Sequence, residues 1–253
     1  MLVVGIIVAM IAATIAVAAL VLAPQIAAGR VVYSLSPDLP KPFGYKMAWL
    51  AIRTRDSLSV VAALGLIEPE NANWDTGLGT VYSSELGEAR VFVSPPVNGW
   101  TLVAGLSLPQ PLGKNFTDKA TPLLIDLGAK FIEVQYFASC PMIDYFAWAR
   151  IIDGKLVRAY AIGDEGVLWN KGKPTKEERA LGLKQFEVRG PKAKRGDIGG
   201  ALLMVPSEAH VMQLAQKWSL DPTRVQEAGA SAALGIIGRV PHSWRSERLR
   251  KTG

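Results

Sequence analysis

The side chains able to do chemistry are few and scattered. Histidine occurs only at His210 and His242, far apart and with no cysteine beside either. A zinc site needs three or four ligands at close quarters, so no metal is expected. The single cysteine, Cys140, stands in Ala138-Ser139-Cys140-Pro141 after a predicted strand. A nucleophilic thiol needs a base and a lowered pKa; no histidine partner can be assigned, and a buried or incidental thiol is the plainer expectation. One cysteine also excludes an intramolecular disulfide. The glycine-rich stretches at 77–79 and 196–200 have neither dinucleotide nor phosphate-loop spacing. No cofactor is expected.

Glu133 is the carboxylate of interest, inside the apolar run FIEVQYF beside Gln135 and Tyr136. Strand alternation places Glu133, Gln135 and Phe137 on one face, which predicts a half-polar side turned to solvent. Glu133, Tyr136, Trp148, Arg150 and Arg158 together form the candidate ligand groove. Seven tryptophans (49, 74, 100, 148, 169, 218 and 244) bury large areas and belong mainly to the core. An enzyme remains open as an alternative, using carboxylates, tyrosine or Cys140 in a constellation that only folding assembles.

Strands and helices must position these groups. MAWLAIRT (47–54) predicts a buried strand. Asp56 or Ser57 then caps a helix carrying Leu58, Val61, Ala62 and Leu64 and ending at Gly65. Glu68 to Gly79 is expected to be a loop. Ala89–Ser94 and Trp100–Leu106 flank Asn98-Gly99, a type I′ turn signal, and Pro95 and Pro96 demand an edge, a bulge or a wide loop there. A short helix over 121–130 and a strand over 131–138 follow.

Tyr145–Ile152 and Lys155–Ile162 flank Asp153-Gly154, the clearest hairpin of the chain. A two-residue turn with regular pairing sets Arg150 opposite Val157 and Trp148 opposite Ala159, with Arg150 and Arg158 on opposite faces. Both faces are largely apolar, so this hairpin belongs in mid-sheet. Glu165–Trp169 adds a strand. Thr175 and Glu178 make a capping box, Ser207–Trp218 an amphipathic helix, and Asp221-Pro222 another helix start. Residues 228–240 are apolar but too short to span a bilayer. The fold expected is α+β around an antiparallel sheet, with strand–helix–hairpin units that permit ferredoxin-like halves.

Leu2 to Ala23 forms an uncharged apolar run, about 33 Å long as a helix and matched to a bilayer core. Without a basic n-region it predicts an uncleaved anchor over residues 1–29, although Ile26-Ala27-Ala28-Gly29 would suit a signal peptidase. Residues 30–45, rich in proline, are expected to be a linker. A sheet domain at 46–188, a basic loop at 189–200 and a helical segment with basic tail at 201–253 follow. Arg30, Lys41 and Lys46 come after the helix and none precedes it, which places the domain on the cytoplasmic side; a periplasmic domain is the alternative.

The net charge of +6 is concentrated in Arg189, Lys192, Lys194 and Arg195 and in a tail with Arg239, Arg245, Arg248, Arg250 and Lys251. Arg189, Lys192, Lys194, Arg195, Arg245, Arg248, Arg250 and Lys251 are candidate contacts to anionic lipid. Residues 207–226 look superficially like a helix-turn-helix. Only Arg224 and Gln226 are available to read bases, so nucleic acid is not the expected partner.

The stretches VFVSPPVNGWTLVAG (91–105), FIEVQYF (131–137), AWARIIDGKLVRAYA (147–161), VLWNKGKPTKEERALGL (167–183) and KWSLDPTRV (217–225) resemble a pattern of bacterial membrane-anchored proteins. The resemblance carries no activity, cofactor or catalytic residue with it. Small bacterial domains of this kind include immunity partners of toxins. The expected function is a single-pass, membrane-tethered, non-catalytic domain binding a protein or ligand, with an exported immunity or binding protein as the alternative.

Overall fold

The computed structural model describes Thr14 and residues 32–87, 89–164, 166–183 and 206–249. The chain divides into two compact units, Met1–Tyr33 and Ser34–Gly253. The expected anchor, the basic cluster Arg189, Lys192, Lys194 and Arg195, and tail residues Arg250 and Lys251 lie outside the described residues. Among the described residues, no helix is long and apolar enough to cross a membrane.

The second unit is α+β, built on one antiparallel sheet. Its strands are β1 (Ala48–Ile52), β2 (Ile67–Ala72), β3 (Arg90–Val93), β4 (Thr101–Ala104), β5 (Glu133–Cys140), β6 (Tyr145–Ile152), β7 (Lys155–Gly163), β8 (Gly166–Lys171) and β9 (Gly235–Arg239). Their order is β2-β9-β3-β4-β1-β5-β6-β7-β8. The two stretches that permit ferredoxin-like halves share this continuous sheet, joined where β1 pairs with β5. β1 is fully buried because both its faces are covered. On one face, α1 (Ser57–Leu64) and α3 (Ala120–Gly128) bury Val60, Val61, Leu64, Leu124 and Leu127 against Leu50, Ile52, Val134 and an alanine-rich surface. The other face meets α2 (Trp74–Tyr82) and α5 (Glu208–Trp218), with the short α4 (Lys176–Ala180) beside α5.

The local signals explain most ends. Asp56 caps α1 by accepting from Ser59 N, and Gly65 closes it in the left-handed conformation. Asn98 and Gly99 both have positive φ, as do Asp153 and Gly154, so both type I′ turns form where Asn-Gly and Asp-Gly stand. Ser94 N donates to Leu102 O at 2.8 Å, and Val97 and Trp100 exchange bonds at 2.7 and 2.9 Å. Pro95 and Pro96 therefore oppose Thr101 alone, a bulge at the place where prolines cannot donate.

Two segments differ from expectation. The loop expected over 68–79 is β2 followed by α2. Trp74, Leu78 and Val81 recur at helical spacing and are buried, and Asn73 caps them through Thr76 N. Of the two glycines that suggested a loop, Gly79 is exposed and Gly77 makes room. A Cβ on Gly77 would lie 2.3 Å from Phe92 Cδ2, so glycine lets α2 sit directly on β3. Residues 228–240 contain no helix in their second half. That half is β9, inserted between β2 and β3, and the C-terminal segment thus completes the sheet.

Residues 34–45 form no helix or named strand but are bonded to the body. Ser34 O accepts from Asn73 N at 3.0 Å. The Asp38 carboxylate accepts from Trp74 N at 2.7 Å and Asp75 N at 3.0 Å, meeting free donors at the N-terminus of α2. Phe43 N donates to Pro222 O.

Candidate functional site

The hairpin that carries Arg150 and Arg158 is not regular. Ile152 pairs with Lys155 and Ile151 with Leu156, but Arg150 then pairs with Arg158 and Trp148 with Tyr160. Val157 is an extra, half-exposed residue: a β-bulge. The expected pairing of Arg150 with Val157 is thereby corrected, and both arginines lie on one face together with Glu133, Gln135, Trp148 and Tyr160. A strict ladder would turn the Arg158 guanidinium toward Ala147, Ala149 and Ile151, a surface packed under aliphatic residues and unable to satisfy it. Deleting Val157 removes the bulge yet leaves Arg158 opposite Arg150. The deletion is therefore expected to destabilise less than Arg158→Ala, as read from the urea midpoint; an equal or larger loss would contradict the register argument.

Arg158 is fully buried and Glu178 is 1 % exposed. Arg158 Nε donates to Glu178 Oε1 and Oε2 at 2.8 and 2.9 Å. Arg158 Nη1 donates to Ala159 O at 2.8 Å, Lys171 O at 2.9 Å and Asn170 Oδ1 at 3.0 Å. Trp148 Nε1 donates to Glu178 Oε1 at 2.9 Å, and Thr175 N donates to Oε2 at 2.7 Å. One carboxylate thus closes the capping box of α4, neutralises a buried arginine and anchors a core indole. Its two oxygens accept four hydrogen bonds, all from groups of the fold itself.

Glu133 is 6 % exposed rather than turned to solvent. The half-polar face is covered by α5, and the polar groups on it pair with one another. Arg150 Nε donates to Glu133 Oε1 at 2.7 Å, Gln135 Nε2 donates to the same oxygen at 2.8 Å, and Arg53 lies 3.7 Å from Oε2. Gln135 Nε2 also donates to Trp218 O at 3.1 Å, and the Arg150 guanidinium sits 5.5 Å from the Trp218 ring centroid. The arrangement fastens the C-terminus of α5 to the sheet. Tyr136 lies on the opposite face, 1 % exposed. Of the five candidate groove residues, four share a face and Tyr136 does not; helices close over them.

The remaining chemical residues are apart. His210 is the N3 residue of a capping box, its Nδ1 accepting from Ser207 N at 3.0 Å. His242 is exposed in a single 3-10 turn, and Cys140 ends β5 partly buried. Among the described residues, no three His, Cys, Asp or Glu converge as a metal site. Arg245 and Arg248 are exposed in a tail whose 247–249 backbone pairs with 115–117.

An open concavity lies elsewhere, at the end of the sheet where β3 turns into β4. Two hollows of about 260 and 430 Å³ adjoin there, sharing Asn98 and Ala228. Asn98 is held out by the type I′ turn. The smaller hollow is walled by Gln216, Asp221 and Arg224, and the larger by Arg55, Pro95, Pro96 and residues 229–231. Arg224 is committed to Glu227 at 2.6 Å, which holds the Glu227 carboxyl below its usual range. The Pro-Pro-x-Asn-Gly run was visible as a turn, but its partner wall comes from residues more than a hundred positions later, and nothing local announced the groove. Compared with known protein families, curated proteins and solved structures, the chain shows no match.

Proposed function

We propose that this chain is a single-pass, membrane-tethered, non-catalytic domain that binds a protein or ligand on the cytoplasmic side of the bilayer. The observation that carries the binding reading is the groove at the β3–β4 turn, concave and polar-rimmed. The buried ionic groups, by contrast, are spent on joining α4 and α5 to the sheet. The tether rests on the uncharged run Leu2–Ala23, and the side on the basic residues that follow it. Arg189, Lys192, Lys194, Arg195, Arg245, Arg248, Arg250 and Lys251 would add attraction to anionic lipid.

A photoreactive residue at Asn98 of the full-length protein in native membranes is expected to give a discrete cross-linked species. The same residue at Glu70, on the edge strand away from the groove, is expected to give none. Equal labelling at both places counts against the groove. A C-terminal alkaline phosphatase fusion is expected to be inactive and a fluorescent-protein fusion bright; the reverse pattern supports the exported alternative.

A further inference from the structure

The geometry points to the groove as a site for an extended peptide segment bearing a carboxylate, with Arg55 taking the carboxylate and Asn98 the peptide backbone. The inference deepens the binding reading above and rests on it. Ala230 and Ser231 line the larger hollow after Gly229, in a segment without helix or strand, and among the described residues 230–232 make no backbone hydrogen bond. A row of unpaired N–H and C=O groups is a template for a second extended chain. Gly229 has no side chain, and those of Ala230 and Ser231 are small enough for a backbone to come close.

Pro95 and Pro96 form the facing wall. They have no N–H to offer and present apolar rings. Asn98 stands between the hollows, exposed and fixed at φ 50°. Its amide offers both a donor and an acceptor, the pair that a peptide bond requires.

Charge sets the chemistry of the ligand. Arg55 is exposed and, among the described residues, has no ion pair, whereas Arg224 is already bonded to Glu227. The smaller hollow carries the Arg224–Glu227 pair and Asp221 on its wall, which leaves the Asp221 charge uncompensated there and disfavours an anion. An acidic side chain or a terminal carboxylate is therefore directed to the Arg55 end, where a planar guanidinium can hold it through two hydrogen bonds.

The test uses the full-length protein in detergent micelles and three hexapeptides carrying one neutral dye, read by fluorescence anisotropy. The first is Ala-Val-Glu-Ala-Val-Ala amide, the second has Gln for Glu, and the third has Ala for Glu with a free C-terminal carboxylate. The Glu peptide is expected to bind saturably and about five-fold tighter than the Gln peptide, the scale of an exposed ion pair. Arg55→Ala should remove that preference and Arg224→Ala should leave it, with unchanged circular dichroism in both. Asn98→Ala should weaken the Glu and Gln peptides alike. Tight binding of the third peptide identifies a chain terminus as the source of the carboxylate; its weakness identifies a side chain. Equal binding of the Glu and Gln peptides, or a preference that survives Arg55→Ala, overturns the proposal. If no peptide binds while the Asn98 cross-link still forms, the peptide assignment fails and the binding domain stands. If neither occurs, both fail.

Discussion

Glu178→Ala is expected to lower stability by about 3–5 kcal/mol, the usual cost of removing one partner from a buried ion pair. The loss would come from Arg158, left charged at zero exposure with its main acceptor gone, and from the indole N–H of Trp148, which loses its bond to the same oxygen. Part of the effect belongs to α4, since Glu178 also accepts from Thr175 N. Thr175→Ala isolates that part and is expected to cost about 1 kcal/mol. The double variant Arg158→Met with Glu178→Leu should recover most of the loss, because hydrophobic replacement of a buried pair is often neutral or better. Urea unfolding followed by circular dichroism measures all four proteins. A loss below about 1 kcal/mol for Glu178→Ala would show that solvent reaches Arg158.

Alkaline pH is the second strong perturbation. Burial pushes the phenols of Tyr136 and Tyr145 well above the usual tyrosine range, and for Tyr145 the neighbouring Tyr136 adds to the rise. The unfolded chain ionises its tyrosines near pH 10 while the folded chain keeps these two neutral. Their neutral form is the one the fold favours, so their contribution is intact below about pH 10. It is lost as pH climbs from there toward the folded values. The slope is about 1.4 kcal/mol per pH unit for each phenol, or about 2.7 for the pair. Tyr136→Phe should halve the pair's contribution, and the double phenylalanine variant should remove it. Tyr82 and Tyr160 are raised in the same direction by burial and supply a background that both variants retain. Absorbance at 295 nm follows the ionisation directly. A fall of two phenols in the absorbance change near pH 10 on making the double phenylalanine variant, with stability unchanged by the substitutions, would contradict the burial argument.

The hairpins, the caps of α1 and α4 and the amphipathic α5 were legible because each is decided within a few residues. Asn98-Gly99 and Asp153-Gly154 reach positive φ wherever they are placed, and Thr175 needs only Glu178 to close its capping box. α2 was not legible. Gly77 weakens a helix judged alone, and only the ring of Phe92, brought from β3, explains why no side chain could stand there. β9 was hidden for a similar reason: an Ala/Gly-rich apolar run becomes a strand only when β2 and β3 offer edges on both sides.

The candidate site divides along the same line. Alternation alone put Glu133, Gln135 and Phe137 on one face, and the structure keeps them there. Exposure does not follow from alternation, because it depends on whether a distant element covers the face. α5 does, and it turns an apparently solvated carboxylate into an internal fastener. The sequence by itself determined the turns at 98–99 and 153–154 and the caps of α1, α4 and α5, since these rest on local sterics and short-range hydrogen bonds. Tertiary structure alone decided that Val157 bulges so that Arg158 meets Glu178, and that a turn near residue 98 faces a wall near residue 230. A buried charge must find its counter-charge, and a groove needs two walls. Both depend on distances across the fold that no stretch of neighbouring residues can specify.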